Sequence, residues 1–269
     1  MKIAFIGAGV MAEAVVSGII NTGICRAEDI TASDISENRL RQTKSKYGIS
    51  TTVSNQEAIK GNDIVVLSVK PQVFNAIADD LRGRLDHEQL VLSIMAGVKI
   101  DTINLLLTHR CIARVMPNTP AQIGQGISVW TATDSVRQAQ KDMVQSVLSG
   151  LGKELYVEDE KYIDMATAIS GSGPAYVFLI IESLIDAGVH IGLPRPMSAQ
   201  LVMQTMLGSV QFAQVSDRHI AELRDMVTSP GGTTAEGLLK LEEGELRAVL
   251  TRAVVAAYEK AQKLGKEQK

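Results

Sequence analysis

Gly7-Ala8-Gly9-Val10-Met11-Ala12 directly follows an apolar run, Ile3-Ala4-Phe5-Ile6, and opens a stretch of helical spacing, Met11–Thr22. A glycine turn between a strand and a helix is the context that dinucleotide binding requires. Gly7 makes the tight turn, Gly9 lets the backbone approach a pyrophosphate, and Ala12 allows the helix to pack closely on the strand. The phosphates would sit on the free N–H groups at the helix start. The residue that selects the cofactor belongs at the end of the second strand, where Thr31-Ala32-Ser33-Asp34 stands, with Asp34 22 residues past Ala12. A carboxylate there accepts hydrogen bonds from the ribose hydroxyls and repels a 2′-phosphate, which favours NAD. In the competing arrangement Ser33, Ser36 and Arg39 surround a 2′-phosphate, while Asp34 turns away or caps the next helix. Asp34-Ile35-Ser36-Glu37 is indeed rich in capping residue types. Both arrangements stay open, so the expected cofactor is NADP or NAD.

Further polar groups fall at the carboxyl ends of apolar runs, where ligands of open α/β sheets bind. Ser68-Val69-Lys70-Pro71 is one such set. Pro71 forces an extended residue before it, which would hold Lys70 at the crevice; an ordinary solvated lysine is the plainer alternative. Ala96-Gly97 and Met116-Pro117-Asn118-Thr119-Pro120 share that rim. The two prolines bracketing Asn118-Thr119 imply a rigid loop that could floor a nicotinamide pocket. Later in the chain, Ser170-Gly171-Ser172-Gly173-Pro174 reads as a break in a helix, and Ser229-Pro230-Gly231-Gly232-Thr233-Thr234 as a second. Each offers backbone N–H groups and hydroxyls at a helix start, suited to a substrate carboxylate. Each could equally be a tight helix–helix turn with capping hydroxyls. None of these loops carries a histidine, and His87, His109, His190 and His219 form no metal-ligand spacing. They read as surface or capping residues, and no metal is expected. Reducing a ketone needs a general acid for the alkoxide. Hydride addition to a protonated imine yields a neutral amine and needs none, so the missing acid leans towards C=N chemistry.

The elements that must position these groups alternate in the first part of the chain. Ile3–Ile6, Ile30–Ala32, Ile64–Val69, Leu90–Ile94 and Cys111–Val115 read as strands, and Ile127–Thr131 as a further one. Their near-continuous apolar runs suit strands covered on both faces. Met11–Thr22, Glu37–Tyr47, Val73–Leu81 and Ile100–Leu107 show helical spacing, and Asp134–Leu148 a helix with Asp134 as N-cap. The alternation implies a doubly wound parallel sheet over residues 1–158. From Lys161 onward no strand pattern is found, and residues 159–269 form an all-α domain. Its helices are expected over Tyr162–Ser170, Ala175–His190, Pro196–Gln214, Ile220–Val227, Thr234–Leu241 and Leu246–Leu264. The lysines at 260, 263, 266 and 269 suit a solvated helix terminus. Ala175–Leu193 and Pro196–Ala213 are apolar nearly all round, which requires burial on all sides. A subunit interface would provide it; a well-filled monomeric core is the plainer alternative.

Composition narrows the class. The chain has 269 residues, 45% hydrophobic, with 27 Lys and Arg against 30 Asp and Glu. The near balance of charge argues against a nucleic-acid or anionic-membrane partner. Cys25 and Cys111 are too few for a stapled secreted scaffold or a four-ligand zinc site. They could pair with each other, but a reduced chain is the plainer expectation. No leader is visible at the start, and Glu182, Asp186 and His190 interrupt the most apolar stretch. A soluble, cytoplasmic protein is expected.

Taken in identity and order, Gly7–Ala12, Val69-Lys70-Pro71, Met116–Pro120, Ser170–Tyr176 and Ser229–Thr234 resemble the pyrroline-5-carboxylate reductase family. The resemblance spans essentially the whole chain, and its last two motifs are far more specific than the fingerprint. It implies reduction of 1-pyrroline-5-carboxylate to L-proline with NADPH or NADH, the final step of proline synthesis. It also implies a Rossmann domain, a helical domain that interlocks two subunits, and often a ring of five dimers with substrate across the dimer interface. Carried over by motif, Gly7, Ala8, Gly9, Val10, Met11, Ala12, Asn55, Ser68, Val69, Lys70, Pro71, Ala96 and Gly97 line the cofactor. Ser33, Asp34 and Asn118 join them from the residue reading above. Ser172, Ser229, Gly231, Gly232, Thr233 and Thr234 would meet the substrate, with Thr234 the catalytic candidate. Asp34 departs from the family pattern, which commonly places a small polar residue there. A 3-hydroxyacid-type dehydrogenase of the same architecture is the nearest rival, but it needs a lysine early in the helical domain, and Ala168–Ala187 has none. A non-catalytic dinucleotide sensor would have no reason to carry the second anion loop.

Overall fold

The computed structural model describes residues 1–266; the expectation for Lys269 falls outside the described residues. Eight strands make one sheet: β1 (Ile3–Ile6), β2 (Ile30–Ser33), β3 (Ser50–Thr52), β4 (Ile64–Leu67), β5 (Leu90–Ser93), β6 (Ile112–Met116), β7 (Gly126–Ala132) and β8 (Gly152–Tyr156). Their spatial order is β3-β2-β1-β4-β5-β6-β7-β8. All neighbours run parallel except β6 and β7, which are antiparallel. Between the strands lie α1 (Val10–Asn21), α2 (Glu37–Tyr47), α3 (Asn55–Ala58), α4 (Phe74–Leu81), α5 (Ile100–Leu107) and α6 (Gln138–Ser149).

Side-chain alternation along the strands divides the interior in two. Ile3 and Phe5 of β1 enter one core with Val15, Val16 and Ile19 of α1 and Val144 and Val147 of α6. Ala4 and Ile6 enter the other, with Phe74, Ala78 and Leu81 of α4 and Ile103 and Leu107 of α5. Every residue of β1, β4 and β5 is buried, which is why these strands read as unbroken apolar runs. Each fully buried large aliphatic side chain there contributes roughly 1.5–3 kcal/mol. The two edge strands, β3 and β8, were not anticipated.

Two expectations about helix ends fail for local reasons. Asp134 does not cap α6. Val136 N–H donates to Thr133 O at 3.0 Å, forming a turn that seats Val136 in the core. The helix therefore starts only at Gln138, with Gln140 accepting the Arg137 N–H at 3.0 Å. Ser170–Pro174 does not break a helix either. The chain stays helical from α7 (Lys161–Ala166) through one wide turn at Thr167–Gly171 into α8 (Gly173–His190). In that turn Ser172 N–H donates to Thr167 O at 2.8 Å, an i→i+5 bond. Such π-turns accommodate an irregularity without ending a helix.

The remaining helices are α9 (Arg195–Val215), α10 (Ile220–Met226), α11 (Thr233–Glu243) and α12 (Leu246–Lys266). By packing, one compact unit takes Met1–Ser172 together with residues 256–266, and the other takes Gly173–Val255. Within the second, α8 buries no residue and α9 only Ser198. Phe178 and Leu179 are each 63% exposed, and Leu201, Leu207 and Val210 are more than half exposed. The apolar helices are not the interior of a monomeric core. By length and composition Lys161–His190 is also long and apolar enough to cross a membrane. Both cysteines are free thiols, Cys25 buried and Cys111 half-buried, and burial pushes both thiols above their usual pKa.

A close helix crossing inside the first unit depends on two glycines. A Cβ on Gly18 of α1 would stand 2.9 Å from the Gly150 carbonyl carbon, with backbone on both sides. Gly18→Ala is expected to cost about 2 kcal/mol by overpacking, read as a lowered denaturation midpoint with an unchanged slope.

Candidate functional site

The strand order reverses at β1, which has β2 on one side and β4 on the other. A crevice must open beyond the strand ends at such a point, and a cleft of about 430 Å³ lies there. Gly7 turns the chain out of β1 at φ +97°. A Cβ on it would come within 2.9 Å of the Val69 side chain and 3.0 Å of Ser68 O, so only glycine fits. Gly7 N–H donates to Ser33 O at 2.8 Å, and the Ser68 hydroxyl lies 2.7 Å from Gly7 O. Gly9 then serves as the N-cap of α1 without any side-chain cap. The nearest atom to a Cβ placed there is 4.0 Å away. A backbone surface left open at an uncapped helix N-terminus fits a pyrophosphate.

Beside this turn, Asp34 is held by two backbone donors. Ala8 N–H donates to Oδ2 and Ser36 N–H to Oδ1, each at 2.9 Å. The cap of α2 is Ser36, whose hydroxyl accepts from Arg39 N–H at 3.4 Å. Along the cleft floor the Ser33 hydroxyl donates to Asn55 Oδ1 at 2.7 Å, and Asn55 Nδ2 donates to Asp80 at 3.0 Å. Asp80 also accepts from Gln56 at 2.6 Å. Asp80 therefore fixes which way the Asn55 amide faces.

Eight of the sequence candidates line the cleft: Gly7, Gly9, Ser33, Asp34, Asn55, Ser68, Val69 and Lys70. Ile35 and Arg39 complete one wall, and Val73, Ala76 and Ile77 another. The sequence motifs did not single out the last three; their i, i+3 and i+4 spacing across the start of α4, with Val73 as its N-cap, is the signal that could have found them. Other candidates have different surroundings. Ala8 and Ala12 are buried and Met11 half-buried, while Val10 is exposed. Pro71 opens the turn into α4. Ala96 is half-buried, and Gly97 is buried, with a Cβ there coming within 2.9 Å of Leu264 Cβ. Asn118 is nearly buried and accepts the Ile127 N–H at 2.9 Å, tying its loop to β7.

In the helical region, the Ser172 N–H expected to be free is bonded within the wide turn, although its hydroxyl makes no hydrogen bond among the described residues. The later loop keeps the expected form. Gly231 has φ +67°, Gly232 N–H donates to Ser229 O at 3.0 Å, and α11 begins at Thr233 without a side-chain cap. Thr234 is half-buried in its first turn. Of the histidines, His219 caps α10 and His87 and His190 are exposed. His109 instead is buried, its Nε2 2.8 Å from Gln89 O, and burial pushes its pKa down.

A signal the motifs did not carry is the buried Arg114 of β6. Its guanidinium meets Glu160 Oε1 and Asp164 Oδ1, each at 2.7 Å. Glu160 also accepts the Ile100 N–H at 2.9 Å. Two residues on, Met116 packs against Gly171 in the wide turn. β6 thereby fixes the segment that carries Ser172.

Comparison with known proteins agrees with this geometry. Residues 2–97 match a family model described as NADP oxidoreductase coenzyme F420-dependent, and residues 160–264 match pyrroline-5-carboxylate reductase dimerisation. The chain is 38% identical over 260 residues to the pyrroline-5-carboxylate reductase of pea (Pisum sativum), covering 97% of this chain and 94% of that one. It is 39% identical over 267 residues to that of Pseudomonas aeruginosa, covering 99% and 97%. The chain belongs to the pyrroline-5-carboxylate reductase family. A solved family structure, that of Plasmodium falciparum with NADP bound, superposes with a TM-score of 0.91 at 36% identity, covering 98% of each chain. The dimerisation match spans α7 to α11 and nearly all of α12, and so includes α8 and α9, whose apolar faces stand open.

Removing one partner of a buried ion pair leaves the other charge uncompensated, at about 3–5 kcal/mol. Arg114→Ala is expected to cost that much, because Asp164 would remain buried without its cation. Chemical denaturation would measure the loss, and a loss below about 1 kcal/mol would assign the cluster a minor role.

Proposed function

We propose that the chain reduces 1-pyrroline-5-carboxylate to L-proline with NADPH or NADH, as the last step of proline synthesis. The observation that carries this is likeness to pyrroline-5-carboxylate reductases over nearly the full chain, joined to a glycine turn with room for a pyrophosphate. Gly7 and Gly9 would admit the phosphates, and Ser33 and Asn55, held by the chain of hydrogen bonds that ends at Asp80, would line the cleft on the adenine-ribose side. A reduced nicotinamide bound in this cleft supplies hydride. The substrate's C=N π pair moves to nitrogen as hydride reaches C5, and an imine that enters protonated leaves as a neutral amine. No side chain has to deliver a proton in that step.

The first turn of α11 is the proposed carboxylate site. Its uncapped N–H groups carry the positive end of the helix dipole, and Thr234 contributes a hydroxyl. Ser229, Gly231, Gly232 and Thr233 shape the loop, and the Ser172 hydroxyl is a further substrate contact proposed from the family motif alone. These groups supply orientation and electrostatic complementarity rather than acid–base work. The open faces of α8 and α9 pair with a second copy in the proposed dimer, and five such dimers form the proposed ring. The compartment proposed is the cytoplasm, with neither nucleic acid nor membrane as partner.

Purified protein is expected to oxidise NADPH or NADH only when 1-pyrroline-5-carboxylate is present; no turnover with either would remove the assignment. Thr234→Ala should raise KM for the imine about tenfold, the worth of one hydrogen bond to a charged group, and leave dinucleotide affinity unchanged. Leu207→Asp combined with Val210→Asp should shift the mass in sedimentation towards the monomer and abolish turnover. A full-sized, active oligomer would place the interface elsewhere.

A further inference from the structure

We propose that Asp34 is a positioning residue for the glycine turn rather than the reader of the ribose, and that cofactor choice passes to Arg39. The inference rests on the cleft being a dinucleotide site. A carboxylate that reads ribose presents its two oxygens to the 2′- and 3′-hydroxyls. Here each oxygen faces a backbone N–H instead, Ala8 on one side and Ser36 on the other, both at 2.9 Å. These donors belong to the loops after β1 and β2, so a single side chain ties the two loops that form the cleft. The Ala8 N–H sits at a buried residue. Without Asp34 it would be a donor with no acceptor inside the turn, a costly arrangement. The bond also directs this N–H away from any phosphate, which leaves the pyrophosphate to the N–H groups beyond Gly9.

The second contact of Asp34 acts on Arg39. Ser36, held by Asp34, is the N-cap of α2 and accepts the Arg39 N–H, so the start of the helix that carries Arg39 is set by the same carboxylate. The Arg39 side chain lines the cleft and is about one-third exposed. Its nearest carboxylate, Glu13, is 3.9 Å away and is already approached by Lys46 at 3.4 Å. That long pair leaves guanidinium donors for another anion, and a planar fork of donors suits a phosphate. With the charge of Asp34 turned onto backbone donors and Arg39 facing the cleft, the 2′-phosphorylated dinucleotide is the better ligand.

Titration calorimetry with NADP⁺ and NAD⁺ separates the two roles without any turnover. The unaltered protein is expected to bind NADP⁺ more tightly. Asp34→Ala should weaken both dinucleotides about tenfold, with their affinity ratio unchanged within about twofold. Asp34→Asn, which keeps one acceptor oxygen, should weaken both by less, and it carries the test if Asp34→Ala does not fold. Arg39→Ala should weaken NADP⁺ alone, about tenfold. The inference is overturned if either Asp34 variant loses NAD⁺ while gaining NADP⁺, the signature of a ribose reader, or if Arg39→Ala leaves the ratio unchanged. Unaltered protein that binds neither dinucleotide would instead overturn the dinucleotide reading of the cleft, and this inference with it.

Discussion

The cleft exists because the turn after β1 passes directly over the peptide that follows β4. The parallel register places Phe5 beside Val66 and Ile6 beside Leu67, so the next residues of both strands, Gly7 and Ser68, meet at the same height. No side chain fits between them. With a hydrogen atom there, the chain turns at φ +97°, the Ser68 hydroxyl reaches Gly7 O, and the Gly7 N–H reaches back to β2. That single close approach sets where α1 begins and which way its N-terminus points. The open backbone at Gly9, the seat of Asp34 and the Ser33–Asn55 contact all follow from it. A phosphate site of this kind is made by subtraction: the residues that matter most contribute no side chain.

A second constraint holds the far side of the sheet. Arg114 carries a charge into the interior of β6, and two carboxylates from the start of α7 meet it there. Glu160 doubles as the acceptor for the first N–H of α5, so one cluster joins a strand, a helix start and the long helix. The geometry suits arginine, whose fork of donors engages two carboxylates at once. Lysine would offer a point charge to one of them. Buried pairs of this sort are costly to desolvate and contribute more to a unique arrangement than to net stability. The wide turn just beyond the cluster uses its irregular hydrogen bonding to continue past Pro174, which donates none.

Much of this was legible in the sequence. The inner strands could be read because both their faces are buried, and β4, Ile-Val-Val-Leu, is apolar at every position. The edge strands β3 and β8 could not, since Ser50-Thr51-Thr52 and Gly152–Tyr156 need only half-cover and carry polar residues. The glycine turn was visible because its constraint is local and steric. The engagement of Asp34 was not, because it depends on Ala8, 26 residues earlier in the chain, presenting its N–H at the right place. Ser170–Pro174 reads as a helix break because proline and glycine are breakers on average. Packing of Met116 on Gly171 fixes the local geometry instead. Asn118 stands after the expected strand, but that its side chain accepts the Ile127 N–H of β7 could not be read from the sequence.

The open faces of α8 and α9 carry a thermodynamic consequence. A segment whose long helices bury almost nothing of their own lacks the apolar burial that must offset its conformational entropy. Most of that burial has to come from another chain. In the proposed dimer, folding of Gly173–Val255 and assembly are a single equilibrium, and mass action enters the stability. At higher protein concentration the native state gains on the unfolded one, and the melting temperature rises with it. No single unfolding free energy describes such a chain unless the concentration of its copies is stated alongside.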